Sequence, residues 1–459
     1  MLSFLLCFVH VALTVLTVAC GAASASASTS PPSLFDLYTL SDGPRRAVDL
    51  DVVRDFGAVG DGVADDTAPI QAALDEAAQT QGGARVILPG RGTKFLVTPL
   101  KLGSHTTMYV EDGAALLASP DTKRYKLVSP LPSYGQGRDH PGPRYESVLS
   151  ADAATDIVVT GEGTGALIDG AGEVWWEAHR SGTEKYTRGH LLEFINCTDV
   201  LVSRLTLSNS PFWTVHPYRC RNVVARELRI RNPLDSPNTD GVDPDSSENV
   251  LIENCDIRTG DDGIAIKSGW DCYGLAYGVP TVNVTVRNIT VESPTSAAVC
   301  IGSEMSGGVS DVLVEGVHAI NCASVLRIKA AAPRGAYVSR VTYRDVVVSN
   351  SSVVLLFDDF YGSKNPACGP SYHPPHPPEV SSVDVSDVSG TYTELAGKLN
   401  GLPNGGAITD VNVRRVRLQG VGARRVDTSW QCNEYVKGLY EDVVPTPCQS
   451  LRPKTNDDV

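Results

Sequence analysis

The sequence is poor in several things, and each shortage excludes something. Basic residues are outnumbered: 39 Lys and Arg stand against 53 Asp and Glu, for a formal net charge of −14. A chain that wraps nucleic acid needs a basic face for the phosphates, so that class is set aside. Cys-x-x-Cys pairs and Cys/His clusters at metal-ligand spacing are absent, which leaves no structural zinc site legible in the sequence. The two histidines of "HPPHPP" (373–378) lie in a Pro-rich loop and are read as loop residues. Runs of 10–15 residues with helical periodicity are missing between the strand-like segments, which excludes a βαβ array. After the first twenty residues no segment is apolar enough to cross a membrane.

Those first twenty, "MLSFLLCFVHVALTVLTVAC", carry no charge, and the small-residue run "GAASASASTSPP" follows. An apolar core before Ala-x-Ala-like sites reads as a secretory signal peptide over 1–28. An uncleaved anchor and a lipid-modified Cys20 are the weaker alternatives. A linker is expected over 29–50. Without Cys7 and Cys20, nine cysteines remain: 197, 220, 255, 272, 300, 322, 368, 432 and 448. In an oxidising compartment some should pair, and the odd count leaves at least one free. Asn-x-Ser/Thr sequons stand at Asn196, Asn283, Asn288 and Asn350.

What is abundant is a recurring β unit. "TDVLVSRLTLSNS" begins at 198, "RNVVARELRIRNP" at 221, "ENVLIENCDIRTG" at 248 and "VNVTVRNITVESP" at 282. "SDVLVEGVHAINC" (310), "SRVTYRDVVVSNS" (339) and "TDVNVRRVRLQGV" (409) continue the series. Alternating β-branched residues mark strands, and the Asn, Asp, Gly and Ser between them mark turns. Repetition of one β unit predicts a solenoid: an all-β, single-stranded right-handed parallel β-helix over 51–430. An all-β sandwich pair explains the strands but not the repeat. "DDTAPIQAALDEAAQ" (65–79) predicts a short N-terminal capping helix, with Pro69 in the first turn and Ile70, Ala73, Leu74 and Ala77 on one face. After about 425 the repeat fades, so 431–459 is expected to be a tail.

Stacked coils put equivalent residues about 4.8 Å apart, so chemistry should collect in ladders. Acids do collect. "SPNTDGVDPDSSENV" (236–250) holds Asn238, Asp240, Asp243 and Asp245, and "RTGDDGIAIKSG" (258–269) holds Asp261 and Asp262. Crowded carboxylates push one pKa up, so one can keep a proton while another stays charged. Glycoside hydrolysis needs that division. Two adjacent Asp can both face outward only in a turn, which Gly260 and Gly263 permit. "RIK" (327–329) puts Arg327 and Lys329 on one side of a strand, able to bind a substrate carboxylate or to neutralise the acids. Tyr361 and His216 are further candidates for the groove. Glu304, in "IGSEMSGG" (301–308), reads as a turn residue.

Asn-Thr-Asp, Gly-Asp-Asp and Arg-Ile-Lys, in that order, resemble the signature of glycoside hydrolase family 28, the polygalacturonases and relatives. "DFGAVGDGVADDTAPIQAALDEAA" resembles the N-terminal segment of pectin-acting β-helix enzymes, and "SPFWTVHP" fits too. The resemblance implies a secreted enzyme, acting as a monomer on a pectic polysaccharide. It implies metal-free, inverting hydrolysis of α-1,4-galacturonosyl links, with no cofactor and no membrane or nucleic-acid partner. By position it makes Asp261 the general acid, with Asp240 and Asp262 activating water and Asn238 supporting them. Arg327, Lys329, Tyr361 and His216 would contact substrate. Inversion predicts carboxyl groups about 6.5–9.5 Å apart. Two departures stand out. The family usually carries Gly-His-Gly on the coil between Asp-Asp and Arg-Ile-Lys, where this sequence reads "IGSEMSGG". Gly263 stands where many relatives have cysteine. Exo action is favoured, with 129–148 and 362–379 as the segments able to close the groove. A β-eliminating lyase and a non-catalytic pectin-binding solenoid are the alternatives.

Overall fold

The computed structural model describes residues 35–36, 38, 41, 43–362, 367–369, 371–421, 429–455 and 458. The expected signal peptide, 1–28, lies outside them. The described chain winds as a parallel β-helix with three faces. The first face stacks in parallel from Val48–Asp51 to Leu451–Pro453. The second begins at Asp61–Asp65 and reaches Arg417 paired with Val444. The third runs from Leu100–Lys101 to Trp430–Cys432.

The repeat unit has a backbone cause. In each coil the second residue of the unit takes a positive φ: Asp199, Asn222, Asn249, Asn283, Asp311, Arg340 and Asp410 all lie between 53° and 60°. A single left-handed residue turns the chain sharply, and Asn and Asp tolerate it best. A second column does the same between the first and second faces, through Arg204, Glu227, Asn254 and Asn288 at 52–55°. The asparagines also bond along the helix axis. Asn283 donates to Asn249 at 2.8 Å, Asn249 to Asn222 at 3.1 Å and Asn222 to Asp199 at 2.8 Å. The interior is one continuous apolar core, and on the third face Leu149, Leu192, Val215, Val242, Ile264, Val299, Leu326 and Leu355 stack inward in register.

Helix α1 (Thr67–Gln79) buries Ile70, Ala73, Leu74 and Ala77 against Ala84–Leu88 and Thr106–Val110. Asp65 accepts the Thr67 N–H at 3.0 Å. Two later helices, α2 (Glu173–Arg180) and α3 (Asp271–Tyr277), interrupt the coils. Both chain boundaries differ from expectation. Val48–Asp51, placed in a linker, already pairs with Ala84–Leu88. The expected tail continues the helix: Val436–Val444 pairs with Ile408–Gly420, and Leu451–Pro453 pairs with it in turn. Two disulfides, Cys272–Cys368 and Cys432–Cys448, leave Cys197, Cys220, Cys255, Cys300 and Cys322 free and buried.

Asn222→Ala removes two ladder hydrogen bonds and the tolerance for positive φ together. The expected loss is about 1–3 kcal/mol in a urea unfolding experiment. Asn222→Gly should recover the conformational part of it.

Candidate active site

The third face carries the chemistry because its outward columns are polar where the inward column is apolar. One outward column reads Glu193, His216, Asp243, Ala265, Cys300 and Arg327. Two residues on, the next reads Tyr218, Asp245, Lys267, then Lys329 and Asp358. The turn ahead of the third face supplies Asp261 and Asp262, as the sequence suggests. Gly260 and Gly263 are not there for positive φ, however. A Cβ on Gly260 would meet Ser236 O at 2.1 Å, and one on Gly263 would meet Ala298 O at 2.6 Å. Neighbouring coils press on the turn, so both residues must be bare.

Asp240, Asp261 and Asp262 are brought together, one carboxylate oxygen of each lying within 4.8 Å of those of the other two. The three sit in different surroundings. Asp262 Oδ1 accepts from Ser296 Oγ at 2.5 Å and Ala297 N at 3.0 Å. Its Oδ2 accepts from Cys300 Sγ at 3.1 Å and from Lys329 Nζ. Burial pushes Asp262 up, but Lys329 and Lys267 overcome it and hold this carboxyl well below the usual range. Asp261 moves the other way, raised by burial and by Asp262. Its Oδ2 faces Asn238 Nδ2 at 3.4 Å. Asp240 is pushed up to about 7 by burial and the Asp261 charge. Both Asp240 and Asp262 are buried, while Asp261 is partly open.

Lys267, which sequence reasoning passed over, is the second counter-charge. Its Nζ lies 3.5 Å from Asp240, 3.5 Å from Asp243 and 3.2 Å from Glu304. Burial favours the neutral amine, but Glu304, Asp240 and Asp243 hold it protonated, well above the usual lysine range. Glu304 does lie in the turn between Ala297–Ile301 and Val309–Ile320, as the sequence suggests, but it is not solvated there. It is buried, and although burial pushes it up, Arg138, Lys267 and Arg334 keep it ionised. The segment of that coil that faces the Asp pair is Ser296–Cys300, one strand ahead of "IGSEMSGG". Neither segment contains histidine.

Asn238, Arg327, Lys329 and Tyr361 all reach the site, in ways that differ. Asn238 is fixed from behind by Arg188, whose Nη2 donates to Asn238 Oδ1 at 2.7 Å. Arg327 and Lys329 lie 5.0 and 5.4 Å from the Tyr361 ring centre. Tyr361 is exposed, Arg327 partly so, and Lys329 is buried on Asp262. Lys329 thus neutralises an acid instead of standing free for substrate. His216 does not line the groove. It is fully enclosed, with Nδ1 3.5 Å from Glu193, Nε2 3.6 Å from Asp245 and Trp213 edge-on at 5.0 Å. Burial opposes its charged form, yet Asp245 and Glu193 raise its pKa.

The profile of the glycosyl hydrolases family 28 matches residues 136–440, and a rhamnogalacturonase A/epimerase, pectate lyase-like profile matches 51–111. The chain belongs to glycosyl hydrolase family 28. It is 39% identical to a probable polygalacturonase of Vitis vinifera, over 86% of this chain and 79% of the relative. It is 27% identical to an endo-polygalacturonase of Pectobacterium carotovorum subsp. carotovorum, over 80% and 85%. A hyperthermoactive exopolygalacturonase from Thermotoga maritima superimposes with a TM-score of 0.73 at 27% identity, over 90% of this chain and 93% of that one. A family 28 exopolygalacturonase of Yersinia enterocolitica, at 20% identity and a TM-score of 0.68, shares the fold. This family 28 member is a glycoside hydrolase, not a lyase.

Lys267 is the counter-charge of buried Asp240 and Asp243, whereas Glu304 keeps Arg138 at 2.7 Å without it. Lys267→Met should cost about 3–5 kcal/mol in denaturant unfolding, and Lys267→Met with Asp243→Asn should recover part of it.

Proposed function

We propose that the chain hydrolyses α-1,4-galacturonosyl links of pectic polysaccharide, removing units from a chain end. The observation that carries the reading is the split within the acid cluster: Asp262 is held charged and Asp261 is raised, in a family 28 chain whose relatives are named polygalacturonases. Asp261, the partly open acid, protonates the leaving oxygen. Asp262 draws the proton from the attacking water, and Asp240 completes the hydrogen bonding of that water. Asn238 orients Asp261. Arg327 and Tyr361, on the coils beyond, offer a galacturonate carboxylate a cation and an aromatic face. Ser296 and Cys300, not a histidine, face Asp262 from the next coil, and burial and the Asp262 charge raise Asp261 against the opposing pull of Lys329 and Lys267.

Exo action draws support from 129–148. This segment is tied to residues at both ends of the third-face strands. At one edge Tyr134 donates to Asp245 at 2.5 Å, and Arg138 Nε meets Glu304 at 2.7 Å. At the other edge Thr187 Oγ1 accepts from the backbone of Asp139 and His140 at 3.1 and 3.2 Å. Residues near 368 reinforce the first edge through the Cys272–Cys368 disulfide to α3 and the Ala367 N–H, which donates to Asp271 at 2.6 Å. A segment tied across the third face in this way would stop a polymer from threading past, which favours attack at a chain end. Secretion, with removal of 1–28, gives the enzyme access to the wall polymer and an oxidising setting for its disulfides. All four sequon asparagines are exposed, which suits glycosylation.

Asp261→Asn and Asp262→Asn should each lower kcat by about 10²–10⁴ in a reducing-sugar assay on polygalacturonate, with circular dichroism unchanged. Undiminished turnover in either variant contradicts its assignment. The product profile on defined oligogalacturonides should show one short product from the earliest time, with slow loss of viscosity. A ladder of intermediate lengths overturns exo action.

The acid must be protonated, so activity should fall as pH rises through the raised range shared by Asp240 and Asp261, near 7 for Asp240. The lowered Asp262 stays ionised in acid, so the acidic limb should lie below the ordinary carboxylate range. Proton NMR of the first-formed anomer should show inversion. Retention would instead make one of the carboxylates a nucleophile.

A further inference from the structure

A second buried cluster lies outside the acid site, under the aromatic pair Phe212 and Trp213. It consists of His190, Glu193 and His216, each at most 3% exposed. Strand register makes Glu193 and His216 neighbours on adjacent coils, and His190 stands three residues ahead of Glu193. Glu193 Oε2 is occupied: Arg144 Nη1 donates to it at 2.9 Å and Ser147 Oγ at 2.8 Å. Glu193 Oε1 has no hydrogen-bond partner, and neither do His190 Nδ1 or either ring nitrogen of His216. Two of these, Glu193 Oε1 and His216 Nδ1, face each other, and unpaired atoms in a sealed place are costly unless something satisfies them.

The distances say what could. His190 Nε2 lies 3.6 Å and His216 Nδ1 3.5 Å from Glu193 Oε1. Hydrogen bonds are shorter, at about 2.7–3.2 Å. Ligands of a tetrahedral zinc ion, with bonds of about 2.0–2.2 Å, are separated by about 3.4 Å. The three ligand atoms all lie within 4.8 Å of one another, close enough to share one ion. Ligating histidines normally give their other ring N–H to a carboxylate, and the carboxylate nearest His216 Nε2 is Asp245 Oδ2, at 3.6 Å and so not yet hydrogen-bonded to it. Asp245 is itself held by Tyr134 and Ser246, at 2.5 and 2.8 Å. Ligating carboxylates are hydrogen-bonded in turn, as Arg144 and Ser147 do for Glu193.

We infer that His190 Nε2, Glu193 Oε1 and His216 Nδ1 form a binding site for a divalent transition metal, zinc by its two-imidazole, one-carboxylate donor set. The site is structural. Its ligands are sealed beneath Trp213, which stacks on His190 at 5.2 Å and carries Lys267 Nζ 4.3 Å above its ring. The ion fixes the floor on which Lys267, and through it Asp240, is placed. The competing arrangement is a protonated His216 shared between Glu193 and Asp245, with no metal.

The test uses the whole secreted chain, purified without chelator. Mass spectrometry of metal content should find about one zinc per chain. Stripping with a chelator should lower Tm, and added zinc should restore it. His190→Ala leaves the Glu193–Arg144 pair intact and should lose the zinc, whereas Asp240→Asn, in the acid cluster, should keep it. Should His190→Ala fail to fold, cobalt in the wild-type chain supplies the readout, as visible bands of a four-coordinate N/O site. Zinc absent from the native chain and not taken up by titration, full zinc in folded His190→Ala, zinc lost in Asp240→Asn alone, or colourless cobalt protein each overturns the inference.

Discussion

Two buried ammonium groups make the acid cluster possible. Asp240, Asp261 and Asp262 crowd within 4.8 Å, and bare carboxylates at that range would repel one another strongly. Lys329 binds Asp262 directly, and Lys267 sits among Asp240, Asp243 and Glu304. Their unequal placement separates the acids into one that is charged and two that are raised. A proton donor and a proton acceptor thus arise from three identical side chains, with no histidine among them.

The β-helix supplies the precision for this. Register fixes which residues of adjacent coils share a column, and the apolar inward column cannot slip by one residue without exposing the core. Asp262 therefore faces Ser296 and Cys300 one coil on and Lys329 the coil after. Segments that leave the helix do different work. Residues 129–148, 271–277 and 367–369 build the walls around a scaffold that needs none of them for its stacking.

Much of this was legible in the sequence. The Val/Asn repeat gave the solenoid because a left-handed Asn or Asp recurs at one corner of each coil. The Asp pair, Asp240 and Arg-Ile-Lys were legible because the period turns sequence spacing into spatial adjacency. Lys267 escaped notice, and Glu304 was read only as a turn residue, because their partners come from different coils and, for Arg138, from an insertion 166 residues away. His216 was misplaced for a related reason. It does point outward from the third face, but Trp213 and the 129–148 segment cover it, and a cover supplied by distant chain leaves no local pattern. The C-terminal boundary was a different kind of miss. "VKGLYEDVV" (436–444) has too few inward apolar residues to resemble the other units, yet its backbone still pairs in register.

The central claim is that Asp261 holds the proton while Asp262 stays ionised. Carbon-13 NMR of aspartate carboxyl carbons, titrated in the wild-type chain and assigned by loss in Asp261→Asn and Asp262→Asn, reads that directly. The expected result is a resonance missing from Asp261→Asn that titrates above 3.8, the ordinary aspartate value, and one missing from Asp262→Asn that stays ionised well below it. The reverse order, or two carboxyls titrating together near the ordinary value, would contradict it.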